Sequence, residues 1–133
     1  MSRLIGNKLP QDLLARLSGE SVSDHTGKVV VLLSVDEKGW AHPAMFSYYE
    51  IVATEASTIR LAIGGKSTSA ANLRRNGKAT LIFTEKDSNY YVKATARLER
   101  ESLETVPSEG LFALRVEQVS RSEERRVGKE CRL

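Results

Sequence analysis

The chain has 133 residues, a formal net charge of +3 and 41% hydrophobic residues. It is therefore long enough for one domain with a buried core and too short for two ordinary domains. It has no run of eighteen apolar residues and no apolar N-terminal segment of the signal-peptide kind, which predicts a cytoplasmic protein without a membrane partner. The single cysteine, Cys131, and two separated histidines, His25 and His42, do not form a metal-binding motif, so no metal is predicted.

The C-terminal segment differs in composition from the rest of the chain, because dense alternating charge replaces a β-branched and alanine-rich pattern. Its sequence RSEERRVGKEC, residues 121–131, resembles the translation of a common DNA-sequencing adapter. This predicts a domain over 1–120, truncated at its C-terminus, and a non-native tail over 121–133. A solvated, charged C-terminal helix is the alternative. The tail carries five basic and three acidic residues, so without it the net charge falls from +3 to +1 and gives no support to a nucleic-acid partner.

Hydrophobic periodicity and turn residues predict the secondary structure. In chain order they indicate a short helix ending before Gly19, strands at about 28–35, 40–46, 58–63, 78–83, 90–98 and 111–120, and a second helix at 67–76 between the third and fourth strands. The second helix is closed by Gly77, at a position that favours left-handed backbone. Six short strands with one internal helix predict an antiparallel barrel or sandwich. Residues 47–57 either extend the second strand or form an edge segment.

The stretch GGKSTS, residues 64–69, has the composition of a phosphate site at a helix start. Glycines allow the backbone to approach an anion, Lys66 supplies a charge, and hydroxyl residues precede free helical N–H groups. A nucleotide-hydrolysing P-loop would need a further glycine at position 60, which is Arg60. The alternative to a phosphate site is an ordinary helix start, where a capping serine or threonine needs no ligand.

Residues 28–97 resemble the pyridoxamine 5′-phosphate oxidase-like family, the FMN-binding split barrels. The resemblance is carried by GWAHPAMFSYYEI (39–51), TIRLAIGGKSTSAANLRRNGKATLIF (58–83) and NYYVKATARLE (89–99). It implies a mainly β fold, an antiparallel split β-barrel with one internal helix and a short N-terminal helix. It also implies FMN bound at the interface of a homodimer and redox chemistry on a small-molecule substrate or electron donor.

The resemblance also implies which residues hold the cofactor. The phosphate would be held at the turn and the helix start, and the flavin ring would lie along the end of the second strand. The implied residues are Lys66, Ser67, Thr68, Ser69 and Asn72 for the first group and Ala44, Met45, Phe46 and Ser47 for the second. The oxidases proper usually carry an Arg-Lys pair where this chain has Thr68-Ser69, so the vitamin B6 reaction itself is not expected. No catalytic residue is assigned.

Several other residues allow two interpretations. His42 is either a proton donor near the cofactor or, as favoured here, a plain strand residue. The tyrosine pairs 48–49 and 90–91 favour interface packing over cofactor contact. For Arg74 and Arg75 a solvated helix face is favoured over a nucleic-acid patch, because no basic stripe elsewhere continues them. At the level of function, a flavin sensor or store without turnover and a flavin-free interaction module are the alternatives to an oxidoreductase, and a deazaflavin or heme could replace FMN.

Overall fold

The computed structural model describes residues 2–123, which form an antiparallel sheet with two α-helices. In chain order the elements are β1 (Ser2–Gly6), α1 (Gln11–Arg16), a 3₁₀ turn (Val22–His25), β2 (Val29–Val35), β3 (Ala41–Ser47), β4 (Ile51–Glu55), β5 (Thr58–Gly64), α2 (Thr68–Asn76), β6 (Lys78–Thr84), β7 (Ser88–Arg100) and β8 (Glu109–Glu123).

The strands follow the order β3-β2-β6-β7-β8-β5-β4, and every pair is antiparallel. The long strand β8 pairs with β7 along one side. Along its other side it pairs with β5 over residues 109–115 and with β1 over residues 119–122. Register shifts between β7 and β8 and between β1 and β8 interrupt these ladders, and such bulges increase local bending and twist. The sheet therefore curls into a half-barrel, and the predicted mainly β, split-barrel fold class is confirmed.

The two faces of the sheet follow from the alternation of inward and outward side chains along most of the strands. In β2, Val30 and Leu32 point inward and are fully buried, whereas Val29 and Val31 point outward. The partner strands repeat this pattern in register: Val30 lies opposite Phe46 of β3 and Phe83 of β6, both buried. The inner face forms the hydrophobic core, and the outer face remains partly apolar.

The two helices cover the core. Leu13 and Leu17 of the first helical segment are buried, so α1 contributes to the core, as its leucine spacing predicts. The α1 segment is tied to the barrel by the Tyr90 hydroxyl, which donates to both carboxylate oxygens of Asp12 at 2.9 and 3.1 Å. Burial, and next this hydrogen bond, raise the pKa of Tyr90.

The ends of α2 are set by local chemistry. Ser67 is the N-cap residue, and Gly77 adopts a left-handed conformation with φ of 70° at the C-cap. A Cβ at Gly77 would lie 3.1 Å from the carbonyl oxygen of Ala96. Only glycine satisfies both the dihedral angle and this close approach without strain.

The structure departs from the predicted elements in two places. The described residues contain eight strands rather than six, because β1 and β4 join the sheet at its edges. The ambiguous stretch 47–57 contains the edge strand β4, paired with β5. The segment predicted as a non-native tail begins inside β8, which continues to Glu123. The rest of that segment, residues 124–133, lies outside the described residues, and its origin stays a prediction.

Candidate functional site

The turn between β5 and α2 brings the helix start to the surface. Ser67 caps α2: its hydroxyl donates to the Gly64 carbonyl at 2.7 Å and accepts from the Ala70 N–H at 3.1 Å. The N–H groups of Thr68 and Ser69, in the first turn of the helix, have no intrahelical acceptor. With the positive end of the helix dipole, they give this end of α2 a preference for anions.

The two glycines of the turn are not required by the protein itself. Neither Gly64 nor Gly65 has a positive φ. A Cβ at Gly64 would meet nothing within 4 Å, and one at Gly65 would meet the Ser108 carbonyl oxygen at an ordinary 3.5 Å. The Gly65 backbone already has partners, because its N–H donates to the Ser108 carbonyl at 2.9 Å and its carbonyl accepts from Arg74 Nη1 at 3.2 Å.

A cavity of about 490 Å³ lies between this turn and the β2–β3 hairpin. Three cationic side chains and two carboxylates share its lining. The lining residues are Lys66, Ser67, Thr68, Ala71, Asn72 and Arg75 from the turn and helix, and Asp36, Glu37 and Lys38 from the hairpin. The Asp36 carboxylate is held in its own turn, where Oδ1 accepts from the backbone N–H groups of Lys38 and Trp40 at 2.9 and 2.8 Å.

The structure divides the predicted phosphate residues into two groups. Lys66 and Thr68 are exposed at the cavity, and the Ser67 hydroxyl is committed to capping. Ser69 is only 3% exposed and does not line the cavity. Successive helical residues are separated by about 100°, so three adjacent hydroxyl side chains cannot all face one ligand.

Asn72 lines the cavity and is also part of a buried polar network. Its side chain donates from Nδ2 to the Ser34 hydroxyl at 3.0 Å, and its Oδ1 accepts from Arg75 Nη2 at 3.0 Å. Arg75 Nη2 also donates to the Val35 carbonyl at 2.7 Å. Asn72 and Ser34 are buried, so this network fixes α2 to the end of β2. Arg75 is exposed, in line with the solvated face that the sequence favours, and its bonds to Val35 and Asn72 were not predicted.

The predicted ring-contact residues lie on β3, outside this cavity. Phe46 points into the core, and Ala44 packs against that core. Met45 points outward and is 73% exposed. Ser47 binds Glu50 through both its N–H, at 2.9 Å, and its hydroxyl, at 3.1 Å. Within one chain the two predicted groups therefore do not share a single pocket.

A second groove, of about 410 Å³, lies on the outer face of the sheet. It contains Lys78 and Lys93 together with Glu117 of β8. A hydrogen bond from Thr95 at 2.9 Å, and next one from Arg115, hold the pKa of Glu117 below its usual value. These residues were not predicted as site residues, although the outward positions of the strand alternation would have identified most of them.

The histidine and tyrosine residues differ in exposure and in their contacts. His42 is half-buried on β3, opposite Ser34 in the strand register. Each tyrosine pair has one buried and one more exposed member, and the buried Tyr48 stacks on His25 with ring centroids 4.7 Å apart. Among residues 2–123 no three His, Asp or Glu side chains group as a metal ion would need. No helix in the same range is long and apolar enough to cross a membrane.

Comparisons with known proteins support the fold. No family model matches the chain. The chain is 36% identical over 87 residues to the uncharacterized protein YclD of Bacillus subtilis, a match that covers 65% of this chain and 56% of that relative.

One similar solved structure is that of a protein from Lactobacillus delbrueckii described as a pyridoxamine 5′-phosphate oxidase by similarity. It has 21% sequence identity and a TM-score of 0.64, and the match covers 90% of this chain and 98% of that one. An FMN-binding protein from Syntrophomonas wolfei has 16% identity, coverage of 86% and 89%, and a TM-score of 0.57. HutZ, the heme storage protein of Vibrio cholerae, has 15% identity, coverage of 77% and 91%, and a TM-score of 0.59. At these identities the likeness shows a shared fold.

Proposed function

We propose that this chain, which has the split-barrel fold of the pyridoxamine 5′-phosphate oxidase-like proteins, binds FMN and works as an oxidoreductase on a small substrate. The observation that carries the proposal is the cavity at the start of α2, where Lys66 and Thr68 lie beside the free N–H groups of the first helical turn. A phosphate monoester needs such a set of donors and positive charges. The residues present therefore fit the phosphate end of FMN.

In this proposal each predicted site residue has a defined part. Lys66 and Thr68 contact the phosphate, and Ser67 shapes the turn that presents the backbone donors. Ser69 is buried and does not line the cavity, so it is given no phosphate contact. When bound, FMN supplies the hydride and electron chemistry, and the protein supplies binding and orientation.

The proposal includes a homodimer, because the ring-contact residues of β3 lie outside the phosphate cavity. The outer face of the sheet offers a surface for a second copy of the chain. Met45 is 73% exposed and Val29 is 50% exposed, and both point to that side with Val31 and Leu33. Pairing through this face would bury apolar surface and would let the partner chain complete the flavin site. The proposed location is the cytoplasm.

The test begins with the colour and mass of what co-purifies with the protein. A flavin absorption band with the mass of FMN supports the proposal. A Soret band would instead assign heme storage, the function named for one structural neighbour, and would refute the flavin proposal.

Titration of the cofactor-free protein with FMN and with riboflavin then isolates the phosphate. Lys66→Ala should weaken FMN binding about ten- to a hundredfold, since charge-assisted contacts contribute about 1.5–3 kcal/mol. Riboflavin binding should be almost unchanged. Equal weakening of both ligands would show that the turn does not hold the phosphate. Oxidation of a reduced nicotinamide by the FMN-loaded protein separates an enzyme from a flavin sensor or store.

A further inference from the structure

Arg75 reaches the same cavity as Lys66 although it lies in the last turn of α2. Helical side chains lean toward the helix N-terminus, and arginine is long enough to extend over the preceding turn. The cavity therefore receives a guanidinium from the far end of the helix as well as an ammonium from the turn.

The guanidinium of Arg75 is held by acceptors on one side only. Its Nη2 donates to the Val35 carbonyl at 2.7 Å and to Asn72 Oδ1 at 3.0 Å. Asn72 is fixed in turn by its bond to the buried Ser34. Since both acceptors belong to the ordered end of β2 and the buried face of α2, the direction of the side chain is set before any ligand arrives.

The other side of the guanidinium faces a weak partner. Nη1 lies 3.8 Å from Glu37 Oε1, beyond hydrogen-bond distance, and the Glu37 side chain is 84% exposed. An exposed pair of this kind contributes little. A more strongly charged anion in the cavity would replace Glu37 at Nη1 without disturbing the bonds of Nη2.

We propose that Arg75 and Lys66 form a two-cation clamp for the dianionic phosphate of the FMN bound in this cavity, with Asn72 as the positioning residue for Arg75. This inference rests on the proposed function. In this arrangement Arg75, at the end of the helix, supplies a guanidinium to the site, and Lys66, in the turn, supplies an ammonium. The planar fork of arginine suits phosphate oxygens, and two cations balance the charge of a phosphate monoester.

The first experiment compares two arginine variants by titration with FMN and with riboflavin. Arg75→Gln should weaken FMN binding about ten- to a hundredfold and leave riboflavin within about twofold. Arg97→Gln removes the same charge from an exposed position on β7, where the side chain is 75% exposed, and should leave both ligands unchanged.

The second experiment uses variants at exposed positions that carry no folding role. Glu37→Gln removes the carboxylate that competes for Arg75, so FMN should bind about two- to fivefold more tightly while riboflavin does not change. The matched control is Glu101→Gln, because Glu101 pairs with the neighbouring Arg74 at 3.7 Å and is 82% exposed. That variant should leave FMN affinity unchanged.

The role of Asn72 is tested by a double-mutant cycle with Arg75. Asn72→Ala should lower the ratio of FMN to riboflavin affinity, and it should have little further effect in the Arg75→Gln background. A merely structural role for Asn72 would change both ligands alike and would add to the Arg75 effect.

The outcomes separate the two proposals. If the wild-type protein binds neither FMN nor riboflavin, the proposed function fails and the clamp fails with it. If FMN binds and Lys66→Ala weakens it, but Arg75→Gln and Glu37→Gln leave its affinity unchanged, the proposed function stands and the clamp is wrong. If Arg75→Gln lowered the affinities for FMN and for riboflavin equally, the clamp would also be refuted. If Arg75→Gln does not fold, the change in FMN affinity caused by Glu37→Gln decides by itself whether the clamp is right.

Discussion

The Ser67 hydroxyl stabilises α2, and this capping role can be separated from the phosphate site by one pair of substitutions. Ser67→Ala removes the bonds to Gly64 and Ala70, and the loss of an N-cap costs about 1 kcal/mol. Unfolding entropies of about 2.1 cal/mol/K per residue give about 0.26 kcal/mol/K for a domain of this size, so Tm should fall by about 4 °C. FMN affinity should fall less than about threefold, because the hydroxyl proton is already donated to Gly64.

Ser67→Asp reverses this pattern. Aspartate can keep the cap to the Ala70 N–H and is favoured by the positive end of the helix dipole. It has no proton for the Gly64 carbonyl, so Tm should fall less than in Ser67→Ala. A carboxylate beside the phosphate repels it, however. Two unit charges 4 Å apart interact by about 4 kcal/mol near a protein surface. If screening leaves about half of this repulsion, about 2 kcal/mol, the affinity for FMN falls about thirtyfold.

The assay measures Tm by circular dichroism and the affinities for FMN and riboflavin by fluorescence titration. Riboflavin should bind all variants alike. Ser23→Asp, in the 3₁₀ turn outside the cavity, controls for the added charge. If Ser67→Asp keeps both its stability and its full FMN affinity, no phosphate binds at the start of α2 and the reasoning is wrong.

Three other features of the fold give predictions. Gly77→Ala should destabilise the protein by about 2 kcal/mol, because the left-handed backbone and the 3.1 Å approach of Cβ to the Ala96 oxygen both oppose a side chain; urea unfolding measures this. Met45→Lys, on the outer face of the sheet, should convert the proposed dimer to a monomer by light scattering, and a dimer that persists would place the interface elsewhere. Because folding raises the pKa of Tyr90, its contribution to stability is present below about pH 10 and is lost as pH rises through the folded pKa. Tyr90→Phe should therefore reduce the loss of stability above pH 10 in urea titrations, at the cost of the bond to Asp12 at neutral pH.

The elements that the sequence predicts well are those whose limits depend on local chemistry. The bounds of α2 follow from a capping hydroxyl at Ser67 and a left-handed glycine at Gly77, and both act over a few residues. The strand β1 was missed because its residues are almost all exposed and show no alternation. It exists through pairing with the second half of β8, more than a hundred residues away, and no local pattern encodes such a pairing.

The same distinction applies to the candidate site. The turn at Lys66 was found from its composition, because glycine, lysine and hydroxyl residues before a helix have a direct chemical meaning. The sequence predicts a solvated face for Arg75, which is exposed. It does not predict the bond to Val35, because that bond depends on how α2 packs against a strand 40 residues earlier. Ser69 was included although the helical period already directs it away from its neighbours.

The polar network beneath the cavity connects the core to the proposed chemistry. Burying Asn72 and Ser34 gives no clear gain in stability, because replacing both members of a buried hydrogen-bonded pair by apolar groups of the same shape is often nearly neutral. Replacing Asn72 and Ser34 together by apolar residues could keep the packing against β2, but it would leave Arg75 without the acceptor that fixes its Nη2. The guanidinium would then keep only the Val35 carbonyl and would sample more orientations, so ordering it would oppose ligand binding. In the proposed clamp the network therefore has two roles, because it fixes α2 to the end of β2 and holds a preorganised cation facing the cavity.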